Sequence, residues 1–242
     1  MKPENAVTIV VSTWDGYACA WPPLCHGFKK YWPNCSWPIR FTTNFLDSPC
    51  GEGLKLGEDT RDWSGTMRTV LDIIETPVLL FMSEDAWLSG RVDSDAILGF
   101  AKFILNGRAN YIRLSRAYPS HVRCSFESDE RLVVLTDDAQ QRTSLQPALW
   151  RTSVFQSVLA KDENPWQFEG MAPHRSRGTP GFLTLQRNCR VFPYVSHVVP
   201  GWKASPLRRG NWTESARIYA QREGLEIDFS QQPETHMRMD PG

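Results

Sequence analysis

Two short runs constrain this chain more than any other feature. Val7-Thr8-Ile9-Val10-Val11 and Val78-Leu79-Leu80-Phe81-Met82 are apolar or β-branched throughout, and each gives way abruptly to polar residues. A strand without polar alternation has both faces covered, which is the condition of a parallel sheet between helical layers. Between and after these runs the apolar period becomes helical. Pro22-Pro23 opens a helix through Leu24, Phe28 and Tyr31 that Pro33 stops. Met67, Val70, Leu71 and Ile74 mark a second helix, starting after Asp62 or Ser64 and ending before Pro77. Asp93 or Ser94 caps a third, whose positions Ile97, Leu98, Ala101, Ile104 and Leu105 lead to Gly107 as the residue past its end. Pro38 to Thr43 and Tyr111 to Leu114 supply further strands. Strands alternating with helices through residue 115 predict an α/β fold, a three-layer α/β/α domain with a mostly parallel central sheet.

The second half is less regular. Val122 to Phe126 and Arg131 to Leu135 read as short strands, Ser144 to Leu159 as a helix with Pro147 in its first turn, and Phe182 to Leu185 and Arg190 to Val199 as late strands. Thr213 caps a last helix that runs to Gly224. Residues 1–227 are expected to form one domain, with halves 1–115 and 116–227, followed by a polar tail at 228–242. The 44–62 segment, rich in Gly, Pro and acids, is a long loop of the kind that is commonly functional.

Composition narrows the function classes. Lys and Arg total 27 and Asp and Glu total 27, so no overall basic excess points to a long nucleic-acid partner. Six cysteines form no CxxC pair and no Cys/His set at zinc spacing, and read as reduced thiols of a cytoplasmic protein. Neither a leader nor an apolar run of membrane-spanning length is apparent. Ten tryptophans serve either a large aromatic core or a site that stacks on rings. Without GxSxG or a Walker-type glycine loop, hydrolase and P-loop readings lose support.

Ligands of parallel sheets bind beyond the carboxyl ends of the strands, so the residues after each strand carry the functional reading. Glu84 and Asp85 leave a buried strand side by side, where two carboxylates repel unless a cation or donor is shared between them. Their hard oxygens suit Mg2+ or Mn2+ completed by a diphosphate; a helix N-cap with a first-turn acid is the structural alternative. Asp93-Ser94-Asp95 is a literal D-x-D, but its place before a strongly periodic helix makes it a cap. Trp166 and Glu169 share a face if their segment is helical, pairing a ring for a sugar's apolar side with a carboxylate for a hydroxyl proton.

The ordered series Ser12-Thr13-Trp14-Asp15-Gly16-Tyr17, Phe28 to Pro33, Asp62-Trp63-Ser64, Ser83-Glu84-Asp85-Ala86-Trp87-Leu88, Ser144 to Trp150 and Glu163 to Glu169 resembles bacterial polysaccharide-cluster glycosyltransferases of the GT-A fold. The similarity spans about residues 6 to 200. In that family the apolar strand usually leads into two aspartates; here the pair is Glu84-Asp85, which preserves the charge. The resemblance implies a nucleotide-sugar donor, such as a UDP-sugar, bound by the first half, and a saccharide or glycoconjugate acceptor bound by the second. It implies that Ser12, Thr13 and Asp15 line the nucleotide pocket with Trp63 and Arg68 nearby. Asp85 would approach a divalent cation (Mn2+ or Mg2+) or the diphosphate, with Glu84 toward the ribose or donor sugar. Trp150, Trp166 and Glu169 would face the acceptor, Glu169 as base of an inverting transfer, with Arg175, Arg177 and Lys203 or a cation stabilising the departing diphosphate.

Two other readings use the same donor site. Residues 174–210 hold seven Lys or Arg and no acid, so a transferase acting on DNA bases could track a local basic groove. A non-catalytic nucleotide-sugar binder would carry Glu84 as the mark of a lapsed metal site.

Overall fold

The computed structural model describes residues 5–57, 63–116 and 119–231, so Asp62 as a helix cap and the tail beyond 231 lie outside the described residues. Nine strands form one sheet in the order β3-β2-β1-β4-β8-β5-β9-β7-β6. They are β1 (Val7–Ser12), β2 (Ile39–Phe41), β3 (Glu52–Gly53), β4 (Val78–Ser83), β5 (Tyr111–Arg116), β6 (Val122–Ser125), β7 (Leu132–Leu135), β8 (Ala148–Arg151) and β9 (Phe182–Leu185). β1 pairs in parallel with β2 and β4, β2 with β3, and β5 with β9; β8 and β7 run against their neighbours. The mostly parallel sheet expected from the two apolar runs is therefore present. Leu207–Arg208 and Asn211–Trp212 (β10, β11) form a small separate hairpin.

The helices are α1 (Trp21–Tyr31), α2 (Trp63–Ile73), α3 (Ser94–Leu105), α4 (Thr152–Val158), α5 (Pro165–Arg175) and α6 (Glu214–Glu223). Period-two alternation sorts the strand side chains between two cores. Ile9, Val11, Leu80 and Met82 join residues of α1, α3 and α6 on one face. Val10, Leu79, Phe81 and Tyr111 join α2, α4 and α5 on the other. Each fully buried aliphatic side chain in these layers stabilises the fold by about 2 kcal/mol.

Local chemistry ends the elements where the sequence indicates. The Asp93 carboxylate accepts from the Ala96 amide at 3.0 Å, so the D-x-D at 93–95 is a cap. Gly107 follows α3 with φ +75° and Gly224 ends α6 with φ +66°, left-handed conformations that glycine adopts without penalty. α6 is tied to α1 through Glu223, whose carboxylate receives Lys30 and Tyr31 at 2.7 Å each, with His26 at 3.1 Å and Arg222 at 2.9 Å.

Three expectations are corrected. The predicted helix over 144–159 is a strand followed by a short helix: Ala148–Arg151 inserts between β4 and β5, with Leu149 opposite both Leu80 and Ile112. The apolar spacing there satisfies either element, and the open backbone edges of β4 and β5 decide for the strand. The predicted strand over 190–199 is loop, making one bridge from Tyr194 to Leu88; Pro193 and Pro200, which lack N–H donors, flank that point. Cys25 and Cys50, read as thiols, form a disulfide with Cα atoms 5.7 Å apart, joining α1 to the loop before β3. Cys19, Cys35, Cys124 and Cys189 are free.

Candidate active site

The carboxyl ends of β1, β4 and β5 lie along one edge of the sheet, and the candidate residues gather there in two groups. The first follows β1 and β4. Ser12 ends β1 and its Oγ accepts from the Trp63 indole at 3.0 Å, so these two predicted residues do meet. Thr13 is fixed by Thr42, whose Oγ1 accepts its amide proton at 2.8 Å, and by the Trp21 indole at 2.9 Å. The Asp15 carboxylate accepts the amides of Asn44, Phe45 and Leu46 at 2.9, 2.8 and 3.0 Å. Asp15 thus shapes the 44–46 loop beside β1, and the disulfide at Cys50 secures the same loop further along.

Glu84 and Asp85 stand where β4 leaves the sheet. Burial, and then the charge of Asp85, pushes the Glu84 carboxyl well above the ordinary carboxylate range. Burial raises Asp85 as well, opposed by the Ser83 hydroxyl, which donates to Asp85 Oδ1 at 2.7 Å. Tyr17 lies beside the pair and is pushed up to about 12, by burial first and then by the two carboxylates. Neither acid forms an ion pair among the described residues.

That donor set fits a hard divalent cation. Two adjacent half-buried carboxylates lacking a protein cation gain from one supplied by solution, and Mg2+ or Mn2+ commonly takes one or two carboxylates with substrate phosphates and water. The described residues place no cluster of three or more His, Cys, Asp or Glu there, so a diphosphate and water would supply the other ligands.

The second group surrounds Glu169, in a cavity of about 150 Å³ past the end of β5. Asn164 and Gln167 form a reciprocal capping box at the start of α5, and Pro165 fits its first turn. Glu163 bonds Ser64 through its backbone amide at 3.0 Å and Arg175 through its carboxylate at 2.8 and 2.7 Å, fixing α5 against α2. Glu169 therefore projects from an anchored helix, and its Oε1 accepts the Leu145 amide at 2.8 Å. Burial raises its carboxyl above the ordinary value, while the Leu145 amide and the charges of Arg113 and His197 oppose the rise.

Arg113, Arg116, Gln141 and His197, to which the sequence pattern assigned no role, share that cavity with Ser144 and Gln146 from the series that carries the resemblance. The available signal was the pair of arginines in the otherwise uncharged Tyr111–Arg116 strand. Gln146 Oε1 accepts from the Tyr194 hydroxyl at 2.7 Å, and burial, with the Asp85 charge adding to it, raises Tyr194. Tyr194 and Gln146 thus stand between the two groups.

Other predicted residues lie elsewhere. Trp150 is fully buried, its ring centroid 4.3 Å from Tyr111 and 5.0 Å from Phe155, so it is core and faces no acceptor. Arg68 donates to the Leu159 carbonyl at 2.7 Å, and Arg175 is committed to Glu163 and the Val158 carbonyl. Lys203 is exposed, 3.6 Å from Glu214, and Arg177 is exposed beyond α5. Of the cations in the acid-free 174–210 stretch, Arg175 is taken up by an internal ion pair, while Arg177, Arg187, Arg190, Lys203, Arg208 and Arg209 are exposed. Trp166 is 48% exposed on the first turn of α5, available for stacking. Most other tryptophans, including Trp21, Trp32, Trp37 and Trp87, are core.

No protein-family model matches the chain, and no curated protein matches it. Among solved structures, CMP:2-keto-3-deoxy-manno-octonic acid synthetase complexed with CTP is similar with a TM-score of 0.51 and 10% identity over 91% of this chain and 98% of that one. Mannosyltransferase PcManGT from Pyrobaculum calidifontis, in complex with GDP-Man and Mn2+, gives 0.48 and 11% over 81% of this chain and 57% of that one. The 1-349 segment of S. aureus TarS gives 0.46 and 9% over 75% of this chain and 60% of that one. This chain thus spans less than two thirds of the last two. At such identities the likeness is one of fold alone. No helix among the described residues is long and apolar enough to cross a membrane.

Proposed function

We propose that this protein transfers a glycosyl group from a nucleotide-sugar to an acceptor hydroxyl by an inverting displacement. The observation that carries this reading is the placement of two half-buried carboxylate centres, Glu84–Asp85 and Glu169, on one sheet edge with Tyr194 and Gln146 between them. The nucleotide lies against Ser12 to Asp15 and the 44–46 loop, with its diphosphate at Glu84 and Asp85. A divalent cation held there, when bound, neutralises charge on the leaving diphosphate. Glu169 takes the proton of the acceptor hydroxyl; the acceptor oxygen bonds to the anomeric carbon as the bond from that carbon to the phosphate oxygen breaks, releasing nucleoside diphosphate. Burial raises the Glu169 carboxyl above the ordinary value, which makes it a stronger base than an exposed glutamate. Trp166, exposed one helical turn before Glu169, offers a ring face to the acceptor.

The test is nucleoside diphosphate release from a panel of nucleotide-sugars with mixed saccharide acceptors, with and without Mn2+. Acceptor-dependent release supports the transferase. Donor binding without turnover under any of these conditions supports a non-catalytic binder instead.

A further inference from the structure

The cavity around Glu169 holds more positive than negative charge. Arg113 is only 2% exposed, yet the acceptors its Nε and Nη1 meet are neutral: the Thr184 hydroxyl at 3.3 Å and the Gln141 carbonyl at 3.0 Å. Arg116, from the same strand, lines the cavity and forms no ion pair among the described residues. Strict alternation would put residues 113 and 116 on opposite faces of β5. The register against β9 shifts between Arg113 and Arg116, however, and an irregularity of this kind re-aims residues, here leaving Arg116 in the lining of the same cavity as Arg113. Among the described residues Glu169 is the only carboxylate in the lining, and its Oε1 is occupied by the Leu145 amide.

A guanidinium removed from water is costly unless an anion completes it, and paired arginines match the planar oxygens of a carboxylate or phosphate. The diphosphate of a donor has its own place at Glu84 and Asp85, across Tyr194 and Gln146. The cavity, of about 150 Å³, has room for a polar substituent and a ring edge of a bound sugar.

We infer that the acceptor is an anionic saccharide, whose carboxylate or phosphate is held by Arg113 and Arg116 beside the hydroxyl that Glu169 deprotonates. This substrate class rests on the transferase reading above. The test is titration of methyl glucuronide, methyl glucoside 6-phosphate and neutral methyl glucoside into the wild-type protein and Arg116→Gln, followed by ligand-observed NMR. Arg113→Gln is a second variant, with circular dichroism to check that this buried position still folds. At least one anionic glycoside should bind tenfold or more tightly than the neutral one, with the tighter of the two naming the oxyanion. Arg116→Gln should erase the preference, and saturating UDP should leave it in place. Equal affinity for all three, a preference surviving in Arg116→Gln, or displacement by UDP overturns the inference. The two readings fail separately. Arginine-dependent binding without transfer from any donor would remove the transferase and keep the anion site, whereas equal transfer to neutral and anionic acceptors would do the reverse.

Discussion

Glu84–Asp85 and Glu169 are acids raised by burial on the same sheet edge, yet their surroundings differ in sign. The pair after β4 has its own mutual repulsion and the Tyr17 ring beside it, and no described cation. Glu169 has Arg113 and His197 near it and an amide on one oxygen. Burial alone raises both, so it does not distinguish a cation site from a base. The neighbours do: an acid pair without protein cations gains from one in solution, whereas a single acid among cations can cycle its proton.

The largest effect expected is that of Glu169→Gln, which should lower transfer by about 10³-fold while leaving nucleotide affinity in place. An equal loss of nucleotide binding would break the division between the centres. In the proposed role Glu169 acts unprotonated, so wild-type kcat/KM should fall as pH drops through a value above its ordinary 4.5. Next, Cys50→Ser should cost about 3 kcal/mol of stability in urea, the scale for a crosslink across some 25 residues, and should weaken nucleotide binding more than glycoside binding. Asp85→Asn should reduce Mn2+-dependent nucleotide affinity by about 100-fold, read by calorimetry, and leave metal-free affinity nearly unchanged.

Glu223→Gln is the control away from both centres. Its carboxylate is 1% exposed; burial would raise it, but the hydrogen bonds from Lys30, Tyr31, His26 and Arg222 together outweigh that and hold it at about 2. The stability this depression contributes is present above the ordinary value of 4.5 and lost as pH falls through about 2. The substitution should cost about 2 kcal/mol at pH 7 and flatten the acid limb of a urea-midpoint profile. The smallest effect is that of Trp166→Ala, a few-fold rise in acceptor KM with kcat unchanged, as the proposed stacking role of its exposed ring requires.

How far the site was legible follows from the reach of each interaction. Glu84 and Asp85 stand out because they follow an unbroken apolar strand, and Glu169 because it lies three residues after Trp166 in the series that carries the resemblance. The parts misread depend on contacts distant in sequence. Trp150 has helical spacing, but the gap between β4 and β5 makes its segment a strand and buries the ring. Arg175 looks like a free cation until Glu163 is seen to receive it twice. Arg113 and Arg116 become partners only through a register shift against a strand some 70 residues later.

The sequence by itself determined the α/β class, the parallel first half, the ends of most helices and the edge where chemistry is to be sought. Those depend on side-chain period, caps and prolines, which act within a few residues. Only the tertiary structure decided the antiparallel insertion of β8, the Cys25–Cys50 bridge and the charge surrounding each acid. These are set by which segments come within a few ångströms after the sheet assembles, a distance that no local pattern encodes.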